Sequence, residues 1–131
     1  MKIQLAYRFT GENKEELLDI LKKIIQILKE KGHETYTPVF DFNYEGKTKE
    51  QIYTDALDKI DENDALFVLV RSEEKSEGML VELGYAIAKK KKIILVIKKG
   101  VDSRTKYYTK TIIEFQDIPD MLNKLRKFDI K

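Results

Sequence analysis

The stretch S-E-G-M-L-V-E-L-G-Y-A, from Ser76 to Ala86, puts a carboxylate where a sheet-packing helix should be apolar. At helical spacing Glu82 has Met79 and Ala86 one turn away, with Gly78 and Tyr85 as its other close neighbours. None is a cation that would pair with it. A desolvated carboxylate has a raised pKa and a thin hydration shell, both useful to a nucleophile or a general acid/base. The start of the same helix offers unpaired backbone N–H groups and a partial positive charge, which suit an anion such as phosphate. Ser76 adds a hydroxyl there, and Gly78 lets a ligand come close to the backbone. The plainer reading is that a glutamate early in a helix complements the dipole, and position alone leaves both open. Gly84 and Ala86 are read as close-packing residues, and Leu80, Leu83 and Ile87 as core. Arg8 is a second candidate, a cation suited to clamping a phosphate.

These residues need a scaffold, and the chain reads as alternating strands and helices. Lys2 to Ala6 is a strand. Glu15 to Lys31 is an amphipathic helix, with Leu17, Leu18, Leu21, Ile24, Ile25 and Leu28 on one face and Gly32 as its stop. His33 to Val39 reads as a second strand ended by Pro38, followed by the polar, aromatic D-F-N-Y-E-G-K. Thr48 is a plausible N-cap for a helix over Glu50 to Ile60. Ala65 to Val70 is an unbroken apolar run, as expected of a strand buried on both faces. A helix from Glu77 to Lys90, a strand from Lys92 to Ile97, a charged loop from Lys98 to Tyr108, a strand from Lys110 to Phe115 and a helix from Pro119 to Phe128 follow.

Five strands alternating with helices imply an α/β three-layer sandwich around a five-stranded parallel sheet, in the flavodoxin-like order 2-1-3-4-5. Right-handed crossovers then cover both faces. Ligands bind such sheets beyond the carboxyl ends of the strands, where the winding reverses between strands one and three. The loops Tyr7–Glu12 and Arg71–Gly78 are therefore expected to meet around a pocket.

At 131 residues the chain is expected to form a single domain, 1–131, with a core of its own. The net charge of +2 is too small to point to nucleic acid or a membrane. There is no cysteine, which excludes disulfides, thiolate metal sites and a cysteine nucleophile, and the single His33 excludes a multi-histidine metal cluster. No bound metal or cofactor is expected. The chain opens directly on strand-like K-I-Q-L-A, and its longest apolar run is too short to span a bilayer, so a cytoplasmic location is expected.

S-E-G-M-L-V-E-L-G-Y-A, preceded by I-D-E-N-D-A-L-F-V-L-V, resembles the nucleoside 2-deoxyribosyltransferase family, including its 2′-deoxynucleoside 5′-phosphate N-hydrolases. The likeness runs from the first strand to the last helix, and S-x-G-x-x-x-E fits the phosphate-using branch. The resemblance implies that Glu82 attacks C1′ of a deoxyribose, forms a covalent glycosyl-enzyme and expels the base. It implies that Ser76 contacts a 5′-phosphate and that Tyr7, Arg8, Phe9, Thr10 and Gly11 line the nucleotide site. It further implies a small-molecule deoxynucleoside or deoxynucleotide as partner, and a homo-oligomer (dimer or larger) in which Ser103 and Arg104 are candidates for contacts across the interface.

Two positions depart from the family pattern. The acid usually found four residues before Ile60 is Ala56 here, and its neighbour is Asp55. One residue turns a helix by about 100°, so Asp55 or Asp58 would have to take that role. The tyrosine usually found within the first strand is Gln4, with Tyr7 three residues later. These departures keep a second function open, a catalytically silent nucleotide-binding domain of the same fold. Tyr36, Phe40, Phe42 and Tyr44 are read as either stacking on a base or covering the core. His33 is read as structural, and Lys89 to Lys92 as cations at a helix end.

Overall fold

The computed structural model describes residues 1–130. It contains β1 (Lys2–Tyr7), α1 (Lys14–Glu30), β2 (Glu34–Tyr36), α2 (Pro38–Asp41), α3 (Lys49–Glu62), β3 (Ala65–Val70), α4 (Glu77–Ala88), β4 (Lys92–Lys98), β5 (Ile112–Phe115) and α5 (Ile118–Lys127). The five strands form one parallel sheet in the order β2-β1-β3-β4-β5. This is the flavodoxin-like α/β arrangement expected from the sequence.

Every residue of β3 is buried, as its unbroken apolar run requires of a strand covered on both faces. Ile3, Leu5, Phe67, Leu69, Ile94 and Val96 point to the face packed by α1 and α5. Ala6, Leu66, Val68, Leu95 and Ile97 point to the face packed by α3 and α4. The caps follow local chemistry. Asn13 accepts from Glu16 N at the start of α1, and Thr48 forms a reciprocal capping box with Gln51 at the start of α3. Gly32, at φ +89°, supplies the left-handed turn that ends α1.

The second strand is shorter than the spacing predicts. It ends at Tyr36, and Pro38 opens the one-turn helix α2, because a proline cannot donate to a sheet ladder but suits a first helical position. Asp41 turns back to accept from Thr37 N at 2.7 Å and fixes that turn. The loop expected from Lys98 to Tyr108 contains a 3-10 turn over Arg104–Tyr108, capped by Ser103. Strand β5 begins at Ile112 rather than Lys110. Leu80, read as core, is 41% exposed: α4 is apolar on most of its circumference, so the sequence pattern does not say which side meets the sheet.

Gln4 faces α3 and is fully buried. Its Nε2 donates to Ala56 O at 3.1 Å, and its Oε1 accepts from Asn63 Nδ2 at 3.1 Å. The amide thus ties β1 to the helix that carries Asp55. Gln4→Leu leaves the Asn63 and Ala56 groups short of a partner in a dry layer. It is expected to lower stability by about 1–3 kcal/mol, read as a lower urea midpoint at an unchanged slope.

Candidate active site

Register places the site. Tyr7 lies level with Leu69 in the β1–β3 ladder, so the residues that follow, Arg8 on one side and Val70 and Arg71 on the other, leave the sheet side by side. The expected meeting of the two loops occurs: Tyr7, Arg8, Glu12, Val70, Arg71, Ser72, Glu74 and Met79 line one crevice. Arg8 Nη1 lies 3.3 Å from Glu12 Oε1. Gly11, at φ +83°, makes room for this arrangement, since a Cβ there would stand 2.6 Å from Arg8 Nη2. Phe9 and Thr10 are exposed, and the Phe9 ring lies under Lys14 Nζ at 5.3 Å.

Ser76 caps α4, its Oγ accepting from Met79 N at 3.2 Å. Gly78 faces α3, where a Cβ would meet the Tyr53 ring at 3.8 Å. Glu82 follows Met79 by three residues, on the flank of the buried stripe Met79, Leu83 and Ala86. It is part-buried, and burial pushes its carboxyl up to about 7, from 4.5 for an ordinary glutamate. Glu82 does not itself line the crevice between the loops. It lies one helical turn from Met79, which does.

Two tyrosines, Tyr7 and Tyr44, lie in the field of this carboxylate, and a third, Tyr36, binds Asp55. The Tyr7 phenol accepts from Val39 N at 3.0 Å. Burial raises its pKa, and the nearby Tyr44 and Glu82 add to the rise. Tyr44 is raised first by burial and then by the charges of Glu82 and Asp55, so one side chain lies in the field of both acids. Tyr36 donates to Asp55 Oδ2 at 3.3 Å; burial and that carboxylate raise its pKa. All three phenols therefore keep their protons at neutral pH and act as neutral donors or acceptors.

Helix α3 runs without a break past Asp55, so the acid reaches this cluster through its bond to Tyr36 rather than through a shifted helical register. Asp58, its alternative, is exposed. Of the aromatic residues at the end of β2 and after it, Tyr36 and Tyr44 join the cluster. Phe42 meets Tyr44 edge-to-face at 4.8 Å, and Phe40 is exposed beneath Lys22 Nζ. Ser103 and Arg104 belong to the 3-10 turn after β4, Ser103 as its cap. Arg71 was not singled out by sequence reasoning; its place beside Arg8 follows only from the strand register. Among the described residues no group of three or more His, Asp or Glu side chains is arranged to hold a metal ion, and no helix is long and apolar enough to cross a membrane.

Comparison with known proteins bears on this geometry. Residues 7–121 match the family described as nucleoside 2-deoxyribosyltransferase. No match to a curated protein sequence is found. A CMP N-glycosidase from Clostridium botulinum superposes with a TM-score of 0.76 at 22% identity, covering 98% of this chain and 100% of its own. A 2-deoxyribosyltransferase from Bacillus psychrosaccharolyticus gives 0.73 at 24% identity, covering 99% and 93%. A 2-deoxyribosyltransferase from Leishmania mexicana gives 0.60 at 22% identity, covering 82% and 71%. At such identities these structures show a common fold.

Proposed function

The chain belongs to the nucleoside 2-deoxyribosyltransferase family, and from that membership we propose that it cleaves or transfers at the N-glycosidic bond of a 2′-deoxynucleoside or its 5′-monophosphate. A Glu82 oxygen attacks C1′ and forms a C–O bond as the C1′–N bond breaks. The bonding pair leaves with the base, which takes up a proton delivered from or through Asp55. Water or a second base then attacks C1′ and frees Glu82. Tyr7 at the end of β1 and Arg8, Phe9, Thr10 and Gly11 after it, with the α4 cap Ser76 and Gly78 in its first turn, hold the sugar and phosphate. The partner is a small molecule.

One observation carries this reading: a part-buried carboxylate, raised to about 7, whose charge reaches two protonated phenols, Tyr7 and Tyr44, the second of which also lies in the field of Asp55. For structure alone such an arrangement is a cost, because it desolvates a charge with no cation to offset it. A homo-oligomer, dimer or larger, belongs to the same proposal. The outward side of α4 supports it, with Leu80 and Val81 41% and 59% exposed and Tyr53 of α3 63% exposed beside it.

The test is incubation of purified protein with each deoxynucleoside and deoxynucleoside monophosphate, with chromatography for the free base. Release from at least one substrate, lost in Glu82→Ala, is expected. A second reading, a nucleotide-binding domain without turnover, is favoured by Ala56 and Gln4 standing where the family resemblance implies an acid and a tyrosine. Thermal stabilisation by a nucleotide without any base release would establish that reading in place of the first.

A further inference from the structure

The crevice between the β1 and β3 loops holds two guanidinium groups, from Arg8 and Arg71, and both are already occupied by the protein itself. Arg8 pairs with Glu12 at 3.3 Å, and Arg71 Nη2 contacts Glu16 Oε1. The arginine side chains are only 23% and 20% exposed. The space left in the crevice is about 10 Å³, room for about one water. Both guanidinium groups are thus held by the chain's own carboxylates, Glu12 within the crevice and Glu16 outside its lining, and Glu74 adds a further acid to the lining. Glu16 stays 57% exposed, so it can swing away into solvent without disturbing the core. A part-exposed ion pair of this kind contributes little to stability and is readily exchanged.

We propose that Arg71 and Arg8 form a two-arginine clamp for the 5′-phosphate of the substrate, and that Glu12 and Glu16 hold the clamp closed until a phosphate displaces them. The inference rests on the nucleotide reading above and deepens it: the clamp makes the monophosphate the preferred substrate and turns two glutamates into internal competitors. Tyr7 and Met79 line the crevice, while Tyr7 also lies in the field of Glu82 and Met79 one turn from it. Met79 thus links the two places, lining the crevice while standing one helical turn of α4 from Glu82. Phosphate presents more charge than a carboxylate and several coplanar oxygen pairs, so it bridges both guanidinium forks where each glutamate satisfies one. Gly11 belongs to the same device, since any side chain there strikes the Arg8 guanidinium.

The test measures binding and turnover separately. Inorganic phosphate, deoxynucleoside monophosphates and the matching nucleosides are titrated calorimetrically into wild type, Arg71→Gln and Glu16→Gln, and KM and kcat are measured for each pair. Arg71→Gln is expected to weaken monophosphate and phosphate by about 10–100-fold. Its kcat for the monophosphate and all constants for the nucleoside should stay within about twofold. Glu16→Gln removes a competitor and is expected to tighten phosphate several-fold, a gain that damage to the fold would not produce. Equal weakening of nucleoside and monophosphate in Arg71→Gln would overturn the clamp, as would unchanged phosphate affinity in both variants or no phosphate binding by wild type. If phosphate binds as expected and no base is ever released, the clamp stands and the enzymatic reading falls.

Discussion

Glu82→Gln is expected to abolish base release, by about 10³-fold or more, while making the protein more stable above neutral pH. The first effect follows from the reaction: the amide is almost the same size but has no anionic oxygen to attack C1′. The second follows from burial. The folded chain holds the Glu82 proton up to about 7, where an ordinary glutamate loses it at 4.5. Folding therefore gains from the neutral carboxyl in full below about 4.5, and this gain is lost as pH rises to about 7. Above 7 the wild type carries a desolvated charge that the variant lacks, worth about 2 kcal/mol after allowing for part exposure. Thermal melts of the two proteins should therefore converge near pH 4.5 and separate by pH 8, with Glu82→Gln melting higher. The same group shapes the rate. Turnover in wild type should rise about tenfold per pH unit on the acid side and level off above 7. A variant that loses both activity and stability at pH 8 would mean that Glu82 is structural.

Asp55→Asn is expected to slow base release by about 10²–10⁴-fold, the usual range for loss of a positioned acid. The loss should be steepest for substrates whose bases depart least readily, because these depend most on protonation. Asp58→Asn, on the exposed side of α3, should retain activity. Tyr36→Phe removes the hydrogen bond that holds Asp55 toward the cluster and should reproduce part of the Asp55 effect, in kcat rather than KM. At the position where the family resemblance calls for this acid the chain has Ala56, and Tyr36 of β2 instead reaches the acid on the preceding helical position, Asp55. Full activity in Asp55→Asn would assign proton delivery elsewhere, with the Tyr44 phenol, in the field of both acids, the next to substitute.

The architecture was legible where burial leaves a mark on composition. The unbroken run of β3, the apolar face of α1 and the Thr48 cap each state their own structure, and alternation of strand and helix then leaves little choice of topology. The segment after Gly32 was misread because Thr35, Tyr36 and Val39 favour strands, while Pro38 together with Asp41 decides for a helical turn. Leu80 was misassigned because α4 is apolar nearly all round, and periodicity cannot orient such a helix. The site divides the same way. Glu82 was conspicuous as a carboxylate among apolar neighbours, a local property. Tyr44 and Arg71 owe their places to contacts far apart in the chain. Arg71 and Arg8 line one crevice through parallel register, and Tyr44, in the segment after α2, lies in the field of Glu82. Such juxtapositions have no signature in a short window of sequence.

The most direct measurement is an acid quench of wild type during turnover of a deoxynucleoside monophosphate, followed by peptide mapping in a mass spectrometer. A deoxyribosyl phosphate adduct on the Glu77–Ala88 peptide, fragmenting at Glu82 and absent from Glu82→Gln, is the predicted result. Base release with no adduct on any residue, or with the adduct on a different side chain, would contradict the account.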